Sequence, residues 1–174
     1  MKIEELQDND VLVYEETKRI PLLVRLIRLS TGSRYTHAGI FIGQGRLGGI
    51  MEQLWNREFT FITKYKKIPG EVISVYRPLF KASVEKDRAD FQNHHYGILC
   101  ILDDLLQHGL GYFKNYKRRP ILSKLSPRLT CSALVAKILQ LPQHCDWLGD
   151  YRDCEPQNFP AHPETFEFVG ILEL

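Results

Sequence analysis

The sequence predicts one domain, spanning residues 1–174, in which a mainly antiparallel sheet is combined with helical segments. Three observations carry that expectation. Short β-branched and aromatic runs recur with turn-rich stretches between them. Longer stretches switch to helical periodicity and start at capping residues. The length of 174 residues, 44% of them hydrophobic and 25% charged, suits one globular unit with a sizeable core.

Taken in order, Asp10–Tyr14 is a β-branched run after polar residues and reads as the first strand. Ile20–Leu29 places Pro21 near its start, where a helix accepts proline, and reads as a first helix. Its basic and apolar sides fit a core-facing helix, with membrane-surface binding as the rarer alternative. His37–Ile42 and Gly49–Leu54 read as a hairpin across the turn-rich Gly43–Gly48. Glu58–Thr63 and Glu71–Tyr76 add two β segments, joined across a basic loop and Pro69-Gly70. Ser83–His108 turns helical, with Ser83 placed to cap, Glu85 and Asp87 in the first turn, and Gly97 where the segment would divide. The aromatic and basic Gly109–Arg128 reads as a solvated excursion rather than a nucleic-acid patch. Leu129–Leu139 is a helix that ends before Pro142, and a proline-punctuated loop then leads to a last strand at Phe166–Leu172.

Composition narrows the function classes. With 23 basic against 21 acidic side chains, a net charge of +2 gives no global field to draw nucleic acid or an anionic membrane. No nucleic-acid partner is expected, and membrane contact is not favoured. The polar, acidic opening Met1–Asp10 lacks the apolar stretch of a secretory signal, so a cytoplasmic location is expected. No apolar run approaches the roughly 20 residues that span a bilayer. Cys100, Cys131, Cys145 and Cys154 do not form close Cys-x-x-Cys clamps, so neither a structural metal nor a cofactor is expected. Disulfides are disfavoured in a cytosolic chain.

The chemistry concentrates at two motifs. Thr130-Cys-Ser-Ala-Leu-Val135 opens an apolar helix with a cysteine, and the positive end of a helix stabilises a thiolate. Far upstream, His37 lies in Thr31-Gly-Ser-Arg-Tyr-Thr-His-Ala-Gly-Ile40 and is a candidate base. If Gln44-Gly45 forms a two-residue hairpin loop, Gly43 pairs with Arg46 and His37 stands opposite Glu52 on one face. A bulge at Gly48-Gly49 would shift that pairing. A carboxylate beside an imidazole fixes its tautomer and favours its cation, so Cys131, His37 and Glu52 read as nucleophile, base and orienter. The plainer alternative makes Cys131 a small apolar core residue and His37 a strand-end polar one. His94 and His95, adjacent on a helix, diverge and would not share a metal. Trp55 and Arg57 line either a cleft or the core and rim; Cys100 reads as core, and Cys145 and Cys154 as residues without chemistry.

Leu6-Gln-Asp-Asn-Asp-Val-Leu12, the His37 run, Glu52 on the next strand, the Cys131 helix, and the closing Pro156-Gln-Asn-Phe159 and Pro163-Glu-Thr-Phe166 together resemble the circularly permuted branch of the NlpC-type papain-like cysteine peptidases. The resemblance covers most of the chain, with histidine ahead of cysteine. It implies an α+β, papain-like fold whose antiparallel sheet packs against the cysteine-bearing helix. It also implies hydrolysis or transfer at an amide or ester through a thioester, without metal or cofactor, on a peptide, amide or acyl substrate. Peptidoglycan peptides are the best-known substrates, and relatives resembling lecithin:retinol acyltransferase handle lipid acyl groups. A tyrosine often helps to build such sites, and Tyr96 is the candidate here, as an oxyanion donor or as simple packing. The leading expectation is a peptidase or amidase of bacterial or phage type. A catalytically silent binding module and a lipid acyl hydrolase or acyltransferase are the alternatives.

Overall fold

The structure, a computed structural model, describes residues 1–15, 28, 33–53, 57–66, 70–81 and 130–173. The helices expected over Ile20–Leu29 (Arg28 apart) and Ser83–His108, the 109–128 excursion, Trp55, Cys100 and Tyr96 lie outside the described residues.

Six antiparallel strands form one sheet in the order β4-β3-β2-β1-β5-β6. They are β1 (Val11–Glu15), β2 (Tyr35–Ile42), β3 (Gly49–Gln53), β4 (Arg57–Phe61), β5 (Val72–Pro78) and β6 (Phe166–Ile171). Each expected strand is present, with no end moved by more than two residues. The expected C-terminal helix is α1 (Cys131–Ile138), and the proline-rich stretch after it contains a single-turn helix, α2 (Asn158–Ala161), that the prolines had hidden. Thr130 is the N-cap of α1, its hydroxyl accepting the Ala133 N–H at 3.2 Å, an interaction worth about 1 kcal/mol. Gln140, in the left-handed region at φ 51°, closes the chain off before Pro142. Among the described residues no helix is long and apolar enough to cross a membrane.

Strands β1 and β2 lie in the middle and are covered on both faces. Alternation sends Val11 and Val13 of β1 and Ala38, Ile40 and Ile42 of β2 to one side, where they pack on Ala133, Leu134, Val135 and Ile138 of α1. Leu12, Tyr14, Phe41, Ile50, Ile73 and Val75 point to the other side, against Leu6, Ile62 and Leu172. Asp10 anchors the start of β1: wholly buried, it accepts two hydrogen bonds from the Arg77 guanidinium of β5, at 2.8 and 2.9 Å, and one from the Gln7 N–H at 2.8 Å. That bidentate pair holds Arg77 above its ordinary pKa.

The hairpin register corrects the expectation. Glu52 stands opposite Gly39, not His37, and Ile42 opposite Gly49. The tight Gln44-Gly45 turn does not form; a 3-10 turn at Gly45–Leu47 makes the connection longer. Its shape is fixed from outside the hairpin, because the Gly43 N–H donates to Asp8 Oδ1 at 2.8 Å and the Gly45 N–H to the Leu6 carbonyl at 3.3 Å. Two glycines permit it. Gly43 has φ +109°, and the Phe41 ring lies over Gly48 so closely that a Cβ there would fall 2.2 Å from Cζ. The slip amounts to two residues, and because side chains alternate with period two, it leaves every side chain on its expected face.

Gly48→Ala should therefore destabilise the fold by about 1–3 kcal/mol, the usual range for overpacking. The expected result is a lower urea midpoint with an unchanged m value.

Candidate active site

Three adjacent strands deliver the site's polar groups to one face. Tyr14 on β1 is directly opposite His37 on β2, and their rings lie 5.0 Å apart, tilted by 51°. Glu52 reaches in from β3, opposite Gly39, two residues further along β2. Its Oε1 accepts a hydrogen bond from the Tyr14 hydroxyl and stands 3.8 Å from His37 Nε2. That separation is an ion-pair distance, longer than a hydrogen bond, and among the described residues the buried Nε2 has no hydrogen-bond partner. All three side chains are buried: Tyr14 0%, His37 4% and Glu52 2% exposed.

The backbone explains why they meet. Between Tyr14 and Glu52 lies Gly39, whose missing side chain opens the gap: a Cβ would come within 3.1 Å of Glu52 Cγ and 3.0 Å of Ile50. Just ahead of His37 the β1–β2 register shifts, because Tyr14 pairs with His37 while Glu15 pairs with Tyr35. Thr36 is thus an extra residue on β2, its hydroxyl donating to the Tyr14 carbonyl at 3.4 Å. A bulge bends the strand and re-aims its neighbours, and here it lies immediately before the histidine.

Cys131 is the first residue of α1 and is 2% exposed. Its helix packs on β2 and β3, against the β2 face that displays Ala38 and Ile40, whereas alternation turns His37 to the opposite face. The structure therefore joins His37 and Glu52 directly and sets Cys131 on the helix packed across the same strands. Cys154 is the thiol's neighbour. The Ser132 hydroxyl donates to the Cys154 carbonyl at 2.6 Å, and burial, then the proximity of Cys131, pushes the Cys154 thiol well above its ordinary pKa. Burial also raises the Cys145 thiol. Both are thus held protonated. A hollow of about 390 Å³ lined by Lys137, Gln140, Asp150 and Tyr151 lies toward the far end of α1 from Cys131. Among the described residues no group of three or more His, Cys, Asp or Glu side chains is arranged to hold a metal ion.

Sequence reasoning missed Tyr14 and Gly39. Tyr14 had been assigned only to a strand, and its partner is legible only once β1 is known to lie beside β2. Burial first, and then the nearby charge of Glu52, pushes the Tyr14 phenol well above its ordinary pKa.

A group whose pKa rises on folding contributes stability that is fully present below its unfolded pKa, about 10 for tyrosine, and is lost as pH rises through the folded value. Tyr14→Phe should make the alkaline fall in stability above pH about 10 shallower. At neutral pH it should cost about 1.5–3 kcal/mol, through loss of a hydrogen bond to a charged group. Urea midpoints measured from neutral to alkaline pH give both quantities.

No protein-family model matches the sequence, and no curated protein matches it. Among solved structures, the chain is similar to the crystal structure of metalloprotein yiiX from Escherichia coli O157:H7, with a TM-score of 0.43 and 17% sequence identity, over 80% of this chain and 67% of that one. At that distance the likeness carries no information about chemistry.

Proposed function

We propose that the protein is a papain-like cysteine hydrolase of the circularly permuted NlpC type, cleaving an amide bond of a peptide or cell-wall-type substrate. The observation that supports this reading best is the buried pairing of His37 with Glu52 on the strands against which the Cys131 helix packs. In this reading the His37 side chain, which alternation turns away from α1, swings to the Cys131 thiol and takes its proton, the thiolate attacks the scissile carbonyl, and the imidazolium returns the proton to the leaving amine. A thioester remains on Cys131, and water, deprotonated by His37, releases the acid. Glu52 balances the imidazolium charge. The first-turn N–H groups of α1, that of Ser132 among them, are the donors this reading assigns to the oxyanion, with Tyr96 as a further candidate.

One observation favours a second reading. Cys131 and His37 are both almost inaccessible, at 2% and 4% exposed, which suits a silent module that keeps the fold for binding.

Alkylation separates the two. Iodoacetamide labelling of Cys131, followed by peptide mapping, is expected to proceed well below the free-thiol pKa of roughly 8.5 and to lose that low-pH reactivity in His37→Ala. Cys145 and Cys154, whose thiols are raised, should label slowly at the same pH. Cys131→Ala should abolish hydrolysis of a verified amide substrate while leaving the circular dichroism spectrum unchanged. Cys131 labelling no faster than Cys145, or an unchanged rate in Cys131→Ala, would sink the hydrolase reading.

A further inference from the structure

The first turn of α1 is tied to the C-terminal segment by the side chain that follows Cys131. Ser132 is 1% exposed, and its hydroxyl donates to the Cys154 carbonyl at 2.6 Å. A hydroxyl has one proton to give, and a carbonyl can only accept. Toward Thr130 Oγ1, 3.5 Å away, Ser132 is therefore the acceptor. The same Thr130 oxygen accepts the Ala133 N–H at 3.2 Å. Thr130, Ser132 and Cys154 thus form a directed series that starts at the helix cap and ends outside the helix.

The far end of this series is held independently. Cys154 follows the 3-10 turn Tyr151–Asp153, which packs on α1. Asp150 caps that turn by accepting the Arg152 N–H at 2.9 Å, and the Cys154 N–H donates to the Tyr151 carbonyl at 3.2 Å. Ser132 is accordingly fixed to a carbonyl whose place is set by residues outside its own helix. Thr130 claims two donors of the first turn, the Ala133 N–H through its hydroxyl and the Leu134 N–H through its carbonyl at 3.0 Å. The N–H groups of Cys131 and Ser132, those beside the thiol, are the ones that the cap leaves unclaimed.

Helix ends fray, and a misplacement of about 1 Å near reacting atoms costs on the order of 100-fold in rate. We propose that the Ser132 side chain is a positioning residue: its bond to the Cys154 carbonyl fixes the residue whose own N–H stabilises the oxyanion formed at Cys131. The hydroxyl touches neither substrate nor thiolate. This role rests on the cysteine-hydrolase reading, and it separates two properties of Cys131. Ionisation of the thiol belongs to His37 and the helix end, and stabilisation of the oxyanion belongs to the first turn that Ser132 holds.

Two reagents read these properties apart in the whole protein. Iodoacetamide alkylates a thiolate by displacement of iodide at a tetrahedral carbon, and no oxyanion forms. With p-nitrophenyl acetate the thiolate adds to the ester carbonyl, the oxyanion collapses, p-nitrophenolate leaves, and the acetyl group remains on Cys131 as a thioester. Ser132→Ala should lower the p-nitrophenyl acetate rate at Cys131 by about 10- to 100-fold while its iodoacetamide pH profile stays that of the wild type. Ser132→Thr, which keeps the hydroxyl, should keep the wild-type ratio of the two rates. Buried Cys154 monitors the fold, because unfolding would expose it to both reagents. The pair Ser132→Thr and Ser132→Val, alike in shape and differing in the hydroxyl, carries the same comparison if Ser132→Ala does not fold. A ratio of rates that is unchanged by loss of the hydroxyl, or an equal fall of both rates in the folded variant, overturns the proposal and leaves the hydrolase reading standing. A wild-type Cys131 that iodoacetamide labels no faster than Cys145 removes that reading, and this role with it.

Discussion

Glu52 cannot be buried alone, and much of the sheet's local design follows from that. A carboxylate at 2% exposure forfeits hydration worth several kcal/mol, and the protein must replace it with donors and a counter-charge. Among the described residues, two groups from other strands approach the carboxylate: the Tyr14 hydroxyl from β1, which donates, and the His37 imidazole from β2 at 3.8 Å. Both converge on the single oxygen Oε1. This convergence needs β1, β2 and β3 side by side, a fixed register, and an empty position where Gly39 lies. The Asp10–Arg77 pair and the Asp8 contact to Gly43 lie outside the site, yet they hold β1 and the β2–β3 connection in the positions that this convergence requires.

Strand β2 serves both layers. Its even-numbered residues Ala38, Ile40 and Ile42 are apolar and seat α1, while His37, Gly39 and Phe41 belong to the other side. The helix that starts with Cys131 is thereby registered against the strand that presents the histidine. Small side chains matter on both faces: Ala38 lies under the helix, and Gly39 lets Glu52 pass. The Thr36 bulge adds what strict alternation does not supply, a bend at the point where His37 leaves the regular strand.

These features explain what could be read from the sequence and what could not. The strands and the Cys131 helix were legible because their signals are local: β-branched runs between turn residues, and an apolar helical run that ends before a proline. The shared face of His37 and Glu52 was legible too, since an error of two residues preserves parity. The register itself was not, because the loop conformation is set by Leu6 and Asp8, some 35 residues before Gly43. A local turn preference was overridden by a tertiary contact. Tyr14 escaped for a related reason: its importance lies in strand order, which no single segment encodes. The closeness of Cys154 to Cys131 depends likewise on how the C-terminal segment returns across α1.

In the proposed chemistry the charge of Cys131 is decided by a competition between burial and compensating fields. Burial disfavours a thiolate, as it does for Cys154. The N-terminus of an eight-residue helix offers roughly 0.3–1 kcal/mol in the other direction, up to about 2 kcal/mol in a partly buried geometry. One pKa unit corresponds to about 1.4 kcal/mol, so the helix end alone moves a thiol by about one unit. In this reading the rest falls to His37, which lies 3.8 Å from Glu52 Oε1 on the face turned away from α1 and must approach the thiol for the pair to form.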